Sequence, residues 1–152
     1  MHRYKLTLEY EGTGLKGWQR QEGLPTAQGY LEDAVYAFSG EEVTAQGAGR
    51  TDAGVHALGQ VAHIDLTRAL APFTICSALN FYLRGTPVSV LAVEAVDESF
   101  HARFSATGRR YLYRIINRRA DLTLDQYRAW HVIPPLDADA MHQAAQCLVG
   151  TH

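Results

Sequence analysis

The stretch YKLTLEY, residues 4–10, sets the architecture of the chain. Its apolar and aromatic side chains alternate with Lys5, Thr7 and Glu9, and this period of two is typical of a half-buried β-strand. One face of the strand is therefore expected to pack into a core, while the other faces away from it. The side chains of the predicted buried face are Tyr4, Leu6, Leu8 and Tyr10.

Two helices are predicted further along the chain, because apolar residues recur there at spacings of three and four. Thr26 is the expected N-cap of the first helix, since its hydroxyl can accept a hydrogen bond from the first turn. Pro72 opens the second helix, because proline suits the first helical position. The apolar positions are Ala27, Tyr30, Leu31, Ala34, Val35 and Phe38 in the first helix, and Ile75, Leu79, Tyr82 and Leu83 in the second.

Three more short strands are predicted at residues 43–46, 60–66 and 88–96. Together with the first strand and the two helices they give the order βαββαβ. That order is typical of a ferredoxin-like α+β unit, in which both helices pack on one face of an antiparallel sheet. The opposite face of the sheet is then expected to be free to receive a ligand.

A further strand at residues 109–117 and a helix from the Asp137 cap to about Leu148 are predicted to extend this unit. The sequence shows no internal repeat, low-complexity segment or interdomain linker. We therefore expect residues 1–152 to form a single domain.

The segment GAGRTDAGVHALGQ, residues 47–60, joins the second and third predicted strands and has the composition of an active-site loop. Its glycines let the backbone approach a ligand closely. Arg50 stands two residues before Asp52, and an opposite charge nearby favours an ionised carboxylate. A TDAG fragment alone is more often a glycine-rich turn with an Asx hydrogen bond. The loop by itself therefore leaves many classes of enzyme open.

Positive charge is concentrated in one segment, although the net charge of the chain is −2. Residues 103–128 carry a net charge of +5, whereas residues 1–102 carry −5. Twelve of the fourteen cationic residues are arginine, whose planar guanidinium suits phosphate. Aromatic side chains interleave with these arginines and suit base stacking, so the segment favours a nucleic-acid partner over a merely solvated basic strand.

The sequence gives no sign of a metal, a cofactor or a membrane partner. Cys76 and Cys147 fall on predicted apolar helix faces and are expected to be free thiols. No CxxC pair, HExxH helix or histidine cluster occurs, so no metal site is expected. No apolar run is long enough to cross a membrane, and we expect the chain to be cytoplasmic.

Three blocks of the sequence resemble a known family in order and spacing. The blocks are YEGTGLKGWQRQ at residues 10–21, GAGRTDAGVHALGQVAHID at 47–65 and FHARFSATGRRYLYRI at 100–115. They resemble the tRNA pseudouridine synthase A family. The resemblance implies isomerisation of uridine to pseudouridine in the anticodon stem-loop of tRNA, at nucleotides 38–40, with no cofactor.

The resemblance also implies roles for individual residues. Asp52 matches the catalytic aspartate, and Tyr111 matches the tyrosine that packs on the target uracil. Arg50 matches the arginine that helps to extrude the base and orient the carboxylate. Thr51 and His56 are placed with the substrate-binding residues. The residues expected to contact the RNA backbone are Arg103, Arg109, Arg110 and Arg114.

The sequence leaves open the route of the reaction and the class of protein. Asp52 can attack the ribose C1′ as a nucleophile, or it can remove a ribose proton so that a glycal forms. A non-catalytic RNA-binding fragment would retain the arginine segment and Tyr111. A hydrolase that acts on another substrate would use Asp52 with His56.

Members of the family continue with a C-terminal half that completes the cleft, and they act as homodimers across which the tRNA lies. The resemblance therefore implies that this chain is the N-terminal half with the catalytic aspartate, and that the C-terminal half is absent. We expect weak or no turnover from this half alone.

Overall fold

The computed structural model describes residues 1–151, and the chain divides into two compact units, Met1–Arg109 and Arg110–His152. The first unit contains β1 (His2–Tyr10), α1 (Ala27–Ser39), β2 (Gln46–Gly47), β3 (Ala57–Leu66), α2 (Pro72–Tyr82) and β4 (Val88–Val96). The second unit contains β5 (Ile115–Asn117), β6 (Trp130–Val132), α3 (Ala138–Ala145) and a 3₁₀ turn (Gln146–Leu148).

The strands of the first unit form one antiparallel sheet in the order β2-β3-β1-β4, and this confirms the predicted ferredoxin-like α+β unit. β1 is a central strand, because Leu6 pairs with Ala62 of β3 on one side and Val93 of β4 on the other. Its predicted inner face is buried against both helices. Fully buried members of this core are Leu6, Leu8, Leu31, Val35, Ile64, Leu66, Ile75 and Leu79.

Both helices of the first unit begin where the sequence predicts. Thr26 Oγ1 accepts a hydrogen bond from the Gly29 N–H at 3.2 Å, and Pro72 lies in the first turn of α2, where its missing N–H costs no helical hydrogen bond. α1 ends at Gly40, whose φ of 74° is left-handed and whose N–H donates to the Tyr36 carbonyl.

The second strand is shorter than predicted. The sequence predicts a strand over residues 43–46, but β2 consists of Gln46–Gly47. The Ala45 N–H donates instead to Glu32 Oε1 at 3.0 Å, and the Ala45 carbonyl accepts from Gln28 Nε2 at 3.1 Å. Buried side chains of α1 thus take the place of ladder partners, because a buried backbone group needs a hydrogen bond from some source.

The further strand is also shorter than predicted, and it lies in another sheet. The sequence predicts a strand over residues 109–117, but β5 is Ile115–Asn117 and pairs in parallel with β6. The Arg114 carbonyl accepts a hydrogen bond from the Trp130 N–H at 2.7 Å, but in the described part of the chain no neighbouring strand pairs with residues 109–113. A strand requires such a partner. The prediction that Tyr111 lies on a strand is therefore wrong.

The C-terminal helix is confirmed. Asp137 Oδ1 accepts a hydrogen bond from the Ala140 N–H at 2.9 Å and caps α3, and the 3₁₀ turn continues to Leu148. Whether the two units act as a single domain stays a prediction. Within residues 1–151 no helix has the length and apolar character needed to span a membrane.

The sheet face opposite the helices is partly covered by residues 97–105. His63 on this face is buried, and its Nδ1 accepts a hydrogen bond from the Ala102 N–H at 3.2 Å. Arg3, on the adjacent strand, donates to the Phe100 carbonyl at 2.8 Å. The face that the sequence predicts to be free is therefore covered at this point by a loop that is hydrogen-bonded to the sheet.

The environment of His63 makes stability depend on pH. Burial, followed by the charges of Arg3 and His101, lowers the pKa of His63 below its ordinary 6.5, although Asp65 opposes this shift. The unfolded chain then binds a proton at a pH where the folded chain does not. The resulting stabilisation is present above about pH 6.5 and is lost as the pH falls through the lowered folded-state pKa.

We therefore expect the unfolding free energy, measured by urea titration at several pH values, to decrease below about pH 6.5. His63→Asn keeps a hydrogen-bond acceptor but does not titrate, so its stability should fall less steeply with acid. His2→Asn, at an exposed position, should keep the wild-type slope. Equal slopes for wild type and His63→Asn would contradict this account.

Candidate active site

The loop between β2 and β3 carries Asp52 on a backbone that the segment after β1 holds in place. The Trp18 N–H donates to the Thr51 carbonyl at 2.9 Å, and the Gly54 N–H donates to the Leu15 carbonyl at 3.2 Å. Trp18 and Leu15 are buried. The backbone on both sides of Asp52 is therefore fixed, while Asp52 itself is exposed.

Two glycines allow the two loops to meet. A Cβ on Gly12 would lie 2.1 Å from the Val55 carbonyl oxygen, and a Cβ on Gly17 would lie 2.5 Å from the Thr51 carbonyl oxygen. Gly17 also has a φ of +92°, which side chains rarely adopt. Any other residue at these two positions would push the Asp52 loop away from its support.

Tyr10, the last residue of β1, ties the sheet to the loop. Its hydroxyl lies 2.8 Å from the Thr51 hydroxyl, and the two share a hydrogen bond. Burial of the ring raises the pKa of Tyr10, against the opposing effect of hydrogen bonds with Thr51 and Gln60. The phenol is therefore held protonated. Sequence reasoning identified Tyr10 only as a core residue, because an alternating pattern does not reveal where a hydroxyl points.

Gln60 and Arg109 hold the start of the loop. Gln60 Nε2 donates to the Gly49 carbonyl at 2.6 Å, and Arg109 Nη2 donates to the Ala48 carbonyl at 2.7 Å. The same Arg109 nitrogen donates to the Arg103 carbonyl at 3.3 Å. Part of the Arg109 guanidinium is thus committed to protein carbonyls, a role that sequence reasoning missed. Its contact with the RNA backbone stays a prediction.

Arg50 and His56 flank Asp52 in different ways. Arg50 is exposed, and the ion pairs of residues 1–151 do not include one between Arg50 and Asp52. His56 Nδ1 accepts a hydrogen bond from the Gly12 N–H at 3.0 Å. His56 Nδ1 therefore has a structural role, because it holds the backbone at Gly12. This contact does not favour an acid–base pair in which Asp52 acts through His56 Nδ1.

Three of the predicted site residues lie outside the first unit. Tyr111, Arg110 and Arg114 belong to the second unit. All three are exposed, and Arg114 forms an ion pair with Asp125 at 3.1 Å. Their contacts with a substrate stay predictions.

Asp52 is exposed to solvent. One depression of about 810 Å³ in the first unit is lined by residues that include Arg3, His63 and Asp65, and none of its lining residues comes from the Asp52 loop. Residues 1–151 contain no group of three or more histidine, cysteine or acidic side chains placed to hold a metal ion. What the geometry offers is a solvated carboxylate on a rigid loop, able to approach an electrophilic carbon or a proton.

A family profile described as tRNA pseudouridine synthase matches residues 7–105. The matched segment includes the last four residues of β1, both helices of the first unit and the whole Asp52 loop. The chain belongs to the tRNA pseudouridine synthase family. The matched segment contains five of the predicted site residues: Arg50, Thr51, Asp52, His56 and Arg103.

The chain is also similar to curated proteins named tRNA pseudouridine synthase A. Over 152 residues it is 60% identical to that of Azorhizobium caulinodans and covers 59% of that relative. It is 57% identical to that of Rhodopseudomonas palustris and covers 61% of it, and 57% identical to that of Paramagnetospirillum magneticum and covers 59% of it. This synthase-family chain thus spans about 60% of the length of the curated relatives it matches.

The Tyr10–Thr51 hydrogen bond should stabilise the loop locally. We expect Tyr10→Phe to lower the unfolding free energy by about 1–3 kcal/mol, because it leaves the Thr51 hydroxyl without its partner. Amide exchange at Trp18 should become faster, since that N–H donates to the Thr51 carbonyl. Tyr36→Phe, at an exposed position on α1, should change neither quantity. Unchanged exchange at Trp18 in Tyr10→Phe would show that the hydroxyl does not hold the loop.

Proposed function

We propose that this chain supplies the catalytic aspartate of a tRNA pseudouridine synthase that acts on uridines of the anticodon stem-loop. The observation that carries the proposal is the family match over residues 7–105, because this segment contains the Asp52 loop together with Tyr10 and Trp18, which hold it. An exposed carboxylate on a fixed backbone is the arrangement that an attack on a bound nucleotide requires.

The reaction needs neither a redox partner nor an energy source. The bond between ribose C1′ and uracil N1 breaks, the base turns, and C5 bonds to C1′; C5 then loses its proton and N1 gains one. Asp52 can take part as a nucleophile at C1′, which gives a covalent intermediate, or as a base that removes a ribose proton and leads to a glycal. Both routes use an ionised carboxylate, and aspartate is ionised at neutral pH.

The target uridine must leave the helical stack before a side chain can reach C1′, at a cost of a few kcal/mol. In this proposal Tyr111 packs on the extruded uracil, and stacking of that kind recovers about 1–3 kcal/mol. Arg50 helps to extrude the base and to orient Asp52, while Thr51 and His56 lie beside the substrate. The exposed guanidinium of Arg50, with no Asp52 ion pair within residues 1–151, is available for such a contact.

The proposed partner is tRNA, bound through its phosphates by the arginines of residues 103–128. This segment has a net charge of +5 in a chain whose total is −2, and phosphate contacts supply much of the affinity of nucleic-acid complexes. We also propose that the complete protein has a further C-terminal half, forms a homodimer and acts in the cytoplasm.

Replacing the carboxylate should remove the chemistry. Because the chain alone is expected to show weak or no turnover, the test uses a fusion of the chain with the part of the Azorhizobium caulinodans synthase that it does not cover. In this fusion, Asp52→Asn should reduce tritium release from anticodon stem-loop RNA labelled at uridine C5 by about a thousandfold or more, the scale seen when a catalytic carboxylate is lost. The complete synthase from Azorhizobium caulinodans provides the positive control. Glu42→Gln, which alters an exposed carboxylate outside the loop, should leave release unchanged.

Two outcomes of this assay would contradict the proposal. Tritium release that persists in Asp52→Asn would remove Asp52 from the chemistry. RNA binding by the unmodified fusion without any release, while the positive control turns over, would favour the alternative that the chain is a non-catalytic RNA-binding fragment.

The arginine segment makes a separate prediction about salt. We expect Arg110→Ala to weaken binding of stem-loop RNA and to reduce the slope of log Kd against log salt concentration by about one, the effect of one lost phosphate contact. Arg68→Ala removes an exposed arginine outside the segment and should leave the slope unchanged. An unchanged slope in Arg110→Ala would mean that Arg110 does not face RNA.

A further inference from the structure

Phe104 is an exposed aromatic ring that the rest of the first unit holds in place. The side chain is 79% exposed, although a phenyl ring gains more free energy when it is buried. Its ring centroid lies 4.4 Å from that of His101, which in turn lies 4.8 Å from that of buried His63. Three rings therefore lead from the sheet surface to the solvent, and Phe104 is the outermost.

The backbone around Phe104 is equally constrained. The Ser105 N–H donates to the His101 carbonyl at 2.7 Å, and the His101 N–H donates to Ser105 Oγ at 3.0 Å. The Arg103 N–H donates to His101 Nδ1 at 3.2 Å. Phe104 thus sits in a turn closed by three hydrogen bonds, so that little conformational freedom remains to be lost when a ligand packs on its ring.

This turn is joined to the Asp52 loop through one side chain. Arg109 Nη2 donates to the Arg103 carbonyl at 3.3 Å and to the Ala48 carbonyl at 2.7 Å. The residue directly before Phe104 and the base of the Asp52 loop are therefore bridged by a single nitrogen atom.

The surroundings of Phe104 favour a nucleobase over a protein surface. The guanidinium carbon of Arg103 lies 6.0 Å from the centroid of the Phe104 ring, and Arg103 is exposed. Phenylalanine and arginine are also enriched at protein interfaces, but the net charge of +5 over residues 103–128 favours a polyanionic partner. Aromatic rings beside exposed arginines are the platforms on which proteins stack unpaired bases.

We propose that Phe104 is a stacking platform for an unpaired base of the RNA, distinct from the base that Asp52 acts on. The inference rests on the proposed function in so far as the ligand is RNA. The exposed part of the ring receives the base, the contact with His101 fixes the ring, and Arg103, whose guanidinium carbon lies over the ring at 6.0 Å from its centroid, is placed for the adjoining phosphate. Stacking on Phe104 would then help the protein to select a loop over a paired stem.

The test compares two RNA probes, an anticodon stem-loop and a fully paired duplex of the same length. We expect Phe104→Ala to weaken stem-loop binding by about ten- to a hundredfold, in keeping with the strength of base–aromatic stacking, and to leave duplex binding unchanged. The salt slope should also be unchanged, because no phosphate contact is lost. Phe104→Trp should restore stem-loop binding. Phe73→Ala, which removes an equally exposed phenylalanine from α2, is the matched control.

The remaining outcomes separate this inference from the proposed function. Unchanged stem-loop binding in Phe104→Ala, an equal loss for both probes, or a change in self-association instead of RNA binding would overturn the stacking role. Discrimination that depends on Phe104, together with no tritium release from the fusion of the chain with the rest of the Azorhizobium caulinodans synthase, would support the platform and count against the proposed catalysis. Tritium release that depends on Asp52, with no effect of Phe104→Ala on binding, would support the proposed catalysis and count against the platform.

Discussion

The candidate site depends on one constraint, the close approach of two backbones where the loop after β1 meets the loop after β2. Gly12 and Gly17 make this approach possible, because a Cβ at either position would collide with a carbonyl oxygen of the Asp52 loop. Hydrogen bonds from Trp18 to Thr51 and from Gly54 to Leu15 then hold the two loops together. A rigid turn that displays one carboxylate is the result.

The electrostatic setting of Asp52 complements this rigidity. No ion pair with Arg50 is formed within residues 1–151, and water can therefore solvate the carboxylate. A bound substrate that displaces this water would strengthen every charge interaction at the carboxylate, because the local dielectric constant falls. The loop can be stable before binding and reactive after it, since the backbone bonds that hold it do not involve the carboxylate.

The local features of the fold could be predicted from the sequence. The alternation along β1, the Thr26 and Asp137 caps and Pro72 in the first turn of α2 are properties of adjacent residues, and each one is confirmed. The family blocks likewise identified the Asp52 loop within the segment that the family profile matches.

Features that depend on distant partners could not be predicted. Ala45 lies outside the sheet because the side chains of Gln28 and Glu32 on α1 form hydrogen bonds with its backbone. The pattern of residues 43–46 does not indicate these contacts. Residues 109–113 include two tyrosines, which strands favour, but they lack a strand to pair with in the described part of the chain. The Tyr10–Thr51 contact and the position of Arg109 are likewise set by tertiary structure rather than by spacing.

The Tyr10–Thr51 contact has a further consequence for how the site comes into being during folding. The two residues are 41 positions apart in the chain, and closing so long a segment costs entropy that the pairing of β1 with β3 helps to offset. The Asp52 loop is therefore unlike a local turn that forms early by itself. Its final geometry should appear only with the cooperative folding of the sheet, so that a newly made chain acquires an ordered site at the moment it acquires its core.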